Sequence, residues 1–271
     1  MKVVILCGGK GTRLREETEF KPKPLVEIGH RPMLWHIMKI YSHFGFNDFI
    51  LTLGYKGEMI KDYFLHQRTY LNNFTLETKS NQLTFHNNQA DDFRITFVET
   101  GLESLTGERV RRVKQFISDD NFMVTYGDGV ADIDIRALAD FHQRQQTLGT
   151  ICGVHQLTRF GVVAAEPKTN LITEFHQTGV VRERENGAPH REPAPGYLHD
   201  CINGGFMVFQ RNVLDMIKPD SMIEEALIGL AKQRQLSLYV HPGQWKCMDT
   251  YRDVEELNSH WVENPFWKIW N

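Results

Sequence analysis

The residues with the clearest chemical potential lie in the stretch ILCGGKGTRL, residues 5–14, where Gly8, Gly9 and Gly11 follow an apolar run. Such a turn exposes backbone N–H groups that can surround phosphate oxygens, and Arg13 stands where it can neutralise them. A Walker loop is excluded, since Val4 holds the place of its first glycine and Gly11 that of its Ser or Thr. A dinucleotide fingerprint beginning at Gly9 fails at Leu14, where a third glycine is needed for close helix packing. Further on comes KPKPLVEIG, in which Pro22 and Pro24 stiffen the backbone around Lys23 and reduce the entropy lost when it meets an anion. The chemistry these pieces suggest is the holding of phosphates by backbone amides and cations.

For such a loop to work it must sit at the end of a strand. The run KVVIL (2–6) reads as a buried strand, and MLWHIMKIYSHFG (33–45) as a helix with Leu34, Ile37, Met38 and Tyr41 on one face. DFILTLG (48–54) is a second strand and KGEMIKDYFLH a second helix. This β-α-β-α order predicts an α/β fold, Rossmann-like and three-layered, with a mostly parallel central sheet. Residues 74–98, FTLETKSNQLTFH and FRITFVET around NNQADD, alternate apolar and polar positions and predict a partly antiparallel excursion. NFMVTYGDG (121–129) is again a buried strand, followed by helix DIRALADFHQRQQ. Later strands are expected near TICGVHQ, FGVVAAEP, GGFMVFQ and SLYVHPG, with a helix around IEEALIGLAKQRQ. Residues 178–200, rich in Gly, Pro and charge, read as a long loop or flap.

The chain has 271 residues, 41% hydrophobic and 24% charged, and a formal charge of -3. That balance gives no general attraction for nucleic acid or an anionic membrane, so small molecules or protein chains are the expected partners. Four dispersed cysteines (Cys7, Cys152, Cys201, Cys247) form no C-x-x-C pair, which predicts a reduced compartment, no zinc framework and no structural disulfide. The chain opens on a strand without a basic leader, and no apolar run approaches the roughly 18 residues that span a bilayer; the expectation is a cytoplasmic protein. The basic segment GERVRRVKQF (107–116) reads either as a solvated helix face or as a ligand contact.

The ordered pieces resemble the sugar-phosphate nucleotidyltransferases, whose signature L-x-G-G-x-G-T-R-L then K-P-(K)-P is met by Leu6, Gly8, Gly9, Gly11, Thr12, Arg13 and Leu14, then Lys21 to Pro24. LGYKG, TGERVRRVKQF, TYGDGVAD, RFG, INGGF and MDTYRD draw the resemblance toward the glucose-1-phosphate cytidylyltransferases, across nearly the whole chain. The resemblance implies a nucleotidyltransferase fold as a single domain over 1–271, with a nucleotide half to about residue 135, an acceptor half over about 136–250 and an aromatic tail over 251–271. It implies a Mg²⁺-dependent cytidylyltransferase that joins CTP to a phosphorylated acceptor, releases pyrophosphate and supplies an activated precursor for surface polysaccharide or capsule. Arg13 and Lys23 would be catalytic. Leu6, Gly8, Gly9, Gly11, Thr12, Thr106, Arg109, Arg111 and Gly127 would meet the nucleotide, and Asn203, Gly204 and Arg159 the acceptor. Asp128 and Asp249 would hold Mg²⁺, carboxylates beside triphosphate oxygens being its usual setting. Relatives imply a homo-oligomer, a dimer or hexamer, and the tail with Trp261, Trp267 and Trp270 suits packing or a subunit contact.

Three departures fall on the acceptor half. Phe175-His176-Gln177-Thr178-Gly179 replaces F-Q-E-K-P, the 178–200 segment is longer than expected, and W-E-x-E-P-L is reduced to the stretch from Met222 to Leu227. They predict a working cytidylyltransferase with another acceptor: a phosphorylated polyol, an unusual sugar phosphate or a phosphoglutamine. Arg182, Arg184 or Arg191 is placed to replace the missing lysine. The competing readings are a non-catalytic nucleotide-binding regulator of the same fold, and a thymidylyl- or uridylyltransferase.

Overall fold

Short runs whose successive residues are buried on opposite faces make the central sheet. In the computed structural model, which describes residues 1–154, 162–165, 172–176 and 201–270, seven strands pair. They are Val3–Leu6 (β1), Asp48–Leu53 (β2), Arg94–Glu99 (β3), Asn121–Tyr126 (β4), Gly149–Val154 (β5), Ile202–Gln210 (β6) and Leu236–His241 (β7). Their order is β7-β5-β6-β4-β1-β2-β3, and all run the same way except β6, which is antiparallel to both β4 and β5. The chain leaves β1 toward β2 on one side and later returns to its other side as β4. The loops after β1 and β4 therefore flank a topological switch point, where open α/β sheets bind ligands.

Helices Met33–His43 (α1), Gly57–Leu71 (α2), Thr106–Arg112 (α3), Ile135–Gln145 (α4), Ile223–Lys232 (α5) and Tyr251–Glu263 (α6) cover the sheet. Val3 and Ile5 join one core with Leu34, Ile37, Ile60, Leu138 and Leu257; Val4 and Leu6 join another with Val110, Val113, Ile223 and Leu227. This is the three-layered, mostly parallel arrangement expected, with α3 and α5 alone among these helices on the second face. No helix among the described residues is long and apolar enough to cross a membrane.

The partly antiparallel excursion expected over 74–98 is present. Its first part is a hairpin off the main sheet, Phe74–Glu77 against Gln82–Phe85. FRITFVET is instead β3, the parallel edge strand beside β2, and its alternation reflects an edge lying half in solvent. The antiparallel strand within the sheet is β6; a run buried on both faces reads the same in either direction. The basic segment 107–116 also departs from a uniformly solvated face. Glu108 is buried, accepts hydrogen bonds from Arg111 and Arg112 at 2.7–2.8 Å, and donates its backbone N–H to Ser221, joining α3 to the approach to α5. The Arg111 bond, with Arg112 beside it, holds the Glu108 carboxyl down to about 2.

The aromatic tail is packed, not displayed. Trp267 is buried, and its indole N–H donates to Nδ1 of buried His36, whose Nε2 lies 2.8 Å from the Ile28 carbonyl. A carbonyl only accepts and an indole N–H only donates, so His36 is the neutral Nε2–H tautomer. Burial pushes its pKa down to about 4. The unfolded chain takes up this proton first, so stability is expected to fall by on the order of 3 kcal/mol as pH drops from 6.5 toward 4 and to be restored above. His36→Gln should flatten that part of the profile in urea titrations at stepped pH, and identical slopes in both proteins would contradict a neutral His36.

Candidate active site

β1 delivers the glycine loop to the switch point, and the loop turns into the short helix Thr12–Leu14 only because Gly11 adopts a left-handed φ of 62°. A Cβ on Gly11 would also lie 3.1 Å from the Cβ of Lys23, so the loop rests directly on the lysine's stem. Gly9 and Thr12 are exposed toward the cleft, whereas Gly8 is buried. Lys10 points away into an ion pair with Glu103 at 2.6 Å.

The floor beneath Gly8 is Arg109. Its guanidinium is buried, and its two terminal nitrogens lie 2.8–3.2 Å from the carbonyls of Gly8, Leu53, Gly101 and Leu102 and from the Thr100 hydroxyl. Burial lowers its pKa, but a guanidinium stays charged in any protein interior. Gly8 also accepts from the Tyr55 backbone N–H, so its peptide plane is fixed by two donors. In a trans peptide the N–H of Gly9 points opposite to that carbonyl, away from Arg109. Arg109 thus holds the loop and borders the cleft, with its two terminal nitrogens engaged by carbonyls and a hydroxyl of the protein. Arg111 lies outside the cleft lining, paired with Glu108.

Two carboxylates are brought to the same place by a small ribbon. Gly129–Ala131 pairs antiparallel with Trp245–Cys247, and the Met248 N–H donates to the Asp128 carbonyl, extending the register until Asp128 and Asp249 are neighbours. Asp249 is then fixed from behind, since its N–H donates to Asp253 and Thr250 caps α6 in a reciprocal capping box. Lys23 enters between the two acids from a single helical turn, Lys23–Leu25, that follows Pro22. Its Nζ donates to Asp128 Oδ2 at 2.6 Å and to Asp249 Oδ1 at 2.8 Å, while Arg13 donates to Asp249 Oδ2 at 2.9 Å. Burial works against the lysine's charge, but the two carboxylates outweigh it and hold the pKa above the ordinary value. Among the described residues no group of three or more His, Cys, Asp or Glu side chains could hold a metal ion.

A cleft of about 350 Å³ borders the glycine loop, Arg13, Lys23, Arg109 and Asp128, while Asp249 lies outside its lining and reaches it through Lys23 and Arg13. Leu6, Gly8, Gly9, Gly11, Thr12, Arg13, Lys23, Thr106, Arg109, Gly127 and Asp128 all line it. Ser104, Leu105, Tyr126 and Met222 line it too and were missed from sequence. Tyr126 stood inside the quoted TYGDGVAD, but nothing in its spacing says that a hydroxyl at the end of β4 reaches Glu224 at 2.6 Å. Asn203 and Gly204 are not in this lining; the Asn203 side chain accepts from the Gly205 N–H, and the Gly204 carbonyl accepts from Trp245. Arg159, Arg182, Arg184, Arg191 and the 178–200 segment lie outside the described residues.

A glycine loop, two cations and two acids, assembled at the switch point of a mostly parallel sheet with no nucleophile–base pair among the described residues, suit transfer at phosphorus rather than at carbon. A model of the family described as nucleotidyl transferase matches residues 2–264. The glucose-1-phosphate cytidylyltransferase of Salmonella typhimurium is 40% identical over 274 aligned positions, covering 100% of both chains. The mannose-1-phosphate guanyltransferase of Saccharomyces cerevisiae is 28% identical, covering 93% of this chain and 62% of its own. Among solved structures, a UDP-glucose pyrophosphorylase from Acinetobacter baumanii superposes with a TM-score of 0.67 at 18% identity, covering 98% of this chain and 95% of that one. The chain belongs to the nucleotidyl transferase family and is a nucleotidyltransferase by class.

A Cβ on Gly8 would fall 2.0 Å from Nη1 of Arg109, whereas one on Gly9 would meet nothing within 4 Å. Gly8→Ala is therefore expected to cost about 1–3 kcal/mol of stability by forcing that contact apart. It should also weaken nucleoside triphosphate binding by roughly tenfold or more through the displaced loop. Gly9→Ala should leave stability near wild type. Urea unfolding and titration calorimetry check the pair, and equal effects at both positions would contradict the role given to Arg109.

Proposed function

We propose that this chain transfers the cytidylyl group of CTP to the phosphate of a small phosphorylated acceptor and releases pyrophosphate. The observation that carries the reading is Lys23, set between Asp128 and Asp249 under the glycine loop with Arg13 beside it. An acceptor phosphate is largely dianionic near neutral pH, its second pKa being about 6, so no general base is needed. An acceptor oxygen forms the new bond to the α-phosphorus while the bond from that phosphorus to the bridging oxygen breaks, its electron pair leaving on pyrophosphate. Lys23 neutralises the two phosphates that must approach one another, and Arg13 the departing one. The loop amides held up by Arg109 orient the chain of phosphates.

Two carboxylate oxygens that already converge on one cationic nitrogen are hard donors suited to Mg²⁺, which accepts few protein ligands and completes its shell with phosphate and water. Asp128 and Asp249 would hold it, and it would stabilise charge on the triphosphate oxygens. The choice of CTP is supported by the 40% identical full-length relative whose name specifies cytidylyl transfer to glucose 1-phosphate. The acceptor is open to change, because the departures at 175–179, 178–200 and 222–227 all leave the nucleotide loop, Lys23 and both acids intact. Glucose 1-phosphate, another phosphorylated sugar or polyol, and a phosphoglutamine are the candidates, and a CDP-linked product suits supply to surface polysaccharide or capsule.

Pyrophosphate release is to be measured for the common nucleoside triphosphates against a panel of phosphorylated acceptors. CTP should be the best donor, and Lys23→Ala should cost on the order of a thousandfold in kcat/KM. Undiminished turnover in that variant would overturn the mechanism, and best turnover with glucose 1-phosphate would remove the altered acceptor.

A further inference from the structure

Among the polar contacts of the site, the most informative is one that is made too well. Lys23 donates to one oxygen of each acid, and Arg13 takes a second oxygen of Asp249, so the two negative charges are already matched by two positive ones. The lysine side chain is only 13% exposed and its two acids 29% and 25%, so water screens the Lys23 contacts weakly, while Arg13, 75% exposed, stands in solvent. Its backbone cannot carry it off, because the turn is closed by bonds from Leu25 to Pro22 and from Val26 to Lys23, and its stem lies against Gly11.

We infer that Lys23 acts as an internal counter-ion that keeps a lone divalent cation off Asp128 and Asp249, so that metal enters only together with the triphosphate. This rests on the reading of Asp128 and Asp249 as the metal carboxylates. A bare divalent ion taking the lysine's place would leave an ammonium, a guanidinium and the ion crowded together, with buried Arg109 at the floor of the same cleft. Like charges at a few ångströms repel, most strongly where water is partly excluded, as around Lys23. A triphosphate arriving with its metal changes the balance. Its oxygens provide new anionic partners for Lys23 and Arg13, so both cations can release the acids as the metal takes them over. The lysine then moves by rotation of its own side chain, from the acids toward the phosphates.

The test is binding of Mn²⁺ alone, followed by electron paramagnetic resonance, to the full chain in wild-type form, as Lys23→Met, and as Lys23→Met with Asp128→Asn. Thermal melts establish that each protein is folded. Wild type is expected to retain Mn²⁺ weakly without nucleotide, and Lys23→Met to bind it roughly tenfold or more tightly, a change worth about 1.4 kcal/mol. Adding Asp128→Asn should abolish that gain. Wild type supplies a second measurement that needs no variant: with CTP present, protein and nucleotide together should retain more Mn²⁺ than CTP alone. Wild type binding Mn²⁺ alone as tightly as Lys23→Met would overturn the inference while leaving the metal site standing. A gain that survives Asp128→Asn would overturn it too. No retention of Mn²⁺ by any of the proteins, even with CTP, would remove the reading of the two carboxylates and the inference with it.

Discussion

A buried guanidinium gathers the loops at the ends of three neighbouring strands. Arg109 reaches the carbonyls of Gly8 after β1, of Leu53 at the end of β2, and of Gly101 and Leu102 after β3. A buried charge is tolerated only when hydrogen bonds replace its water, and four carbonyl dipoles with one hydroxyl provide that replacement. The arrangement is reciprocal. The Gly8 carbonyl loses the freedom to turn toward the cleft, and the Gly9 N–H on the opposite side of that peptide faces away from Arg109 in the cleft lining. Gly8 is required because any side chain there would occupy the guanidinium's own place.

The acid pair depends on a different device. The main sheet carries β4 to the cleft, but only the ribbon of residues 129–131 and 245–247 brings Asp249 beside Asp128. The His241–Asp132 contact at 2.8 Å, with the Gln244 N–H on the same Asp132 oxygen, secures the turn that leads into that ribbon. The lysine between the acids then comes from a third segment, stiffened by prolines. No one element contains the site, and each contributor is rigid for its own local reason.

This division explains what was legible in the sequence. The buried run of β1, its glycine turn and the proline-flanked Lys23 could be read directly, since each is local and its residue types have few other uses. Helix faces were legible by period, as in Leu34, Ile37 and Met38. The direction of β6 and the place of β3 were not, because hydrophobic runs encode burial and not strand direction. Arg109 was placed near the nucleotide only through resemblance, and its partners are carbonyls, which every residue carries and no spacing reveals. The nearness of Asp128 and Asp249 likewise came from resemblance, since pairing across that distance in the chain has no local signature. Tyr126 and Met222 were missed because cleft lining is set by packing of α3 against the start of α5.

The ribbon also imposes an order in time. A chain made from its amino end completes the glycine loop, Lys23 and Asp128 long before Trp245 to Asp249 exist to fold back on them. Contacts so distant in sequence form late, after the intervening strands have been laid down. Until then Lys23 has one acid to hold and Arg13 none of the pair. A half-made or carboxyl-truncated chain therefore carries the glycine loop and Lys23 without the second acid that holds Lys23 and Arg13 in place.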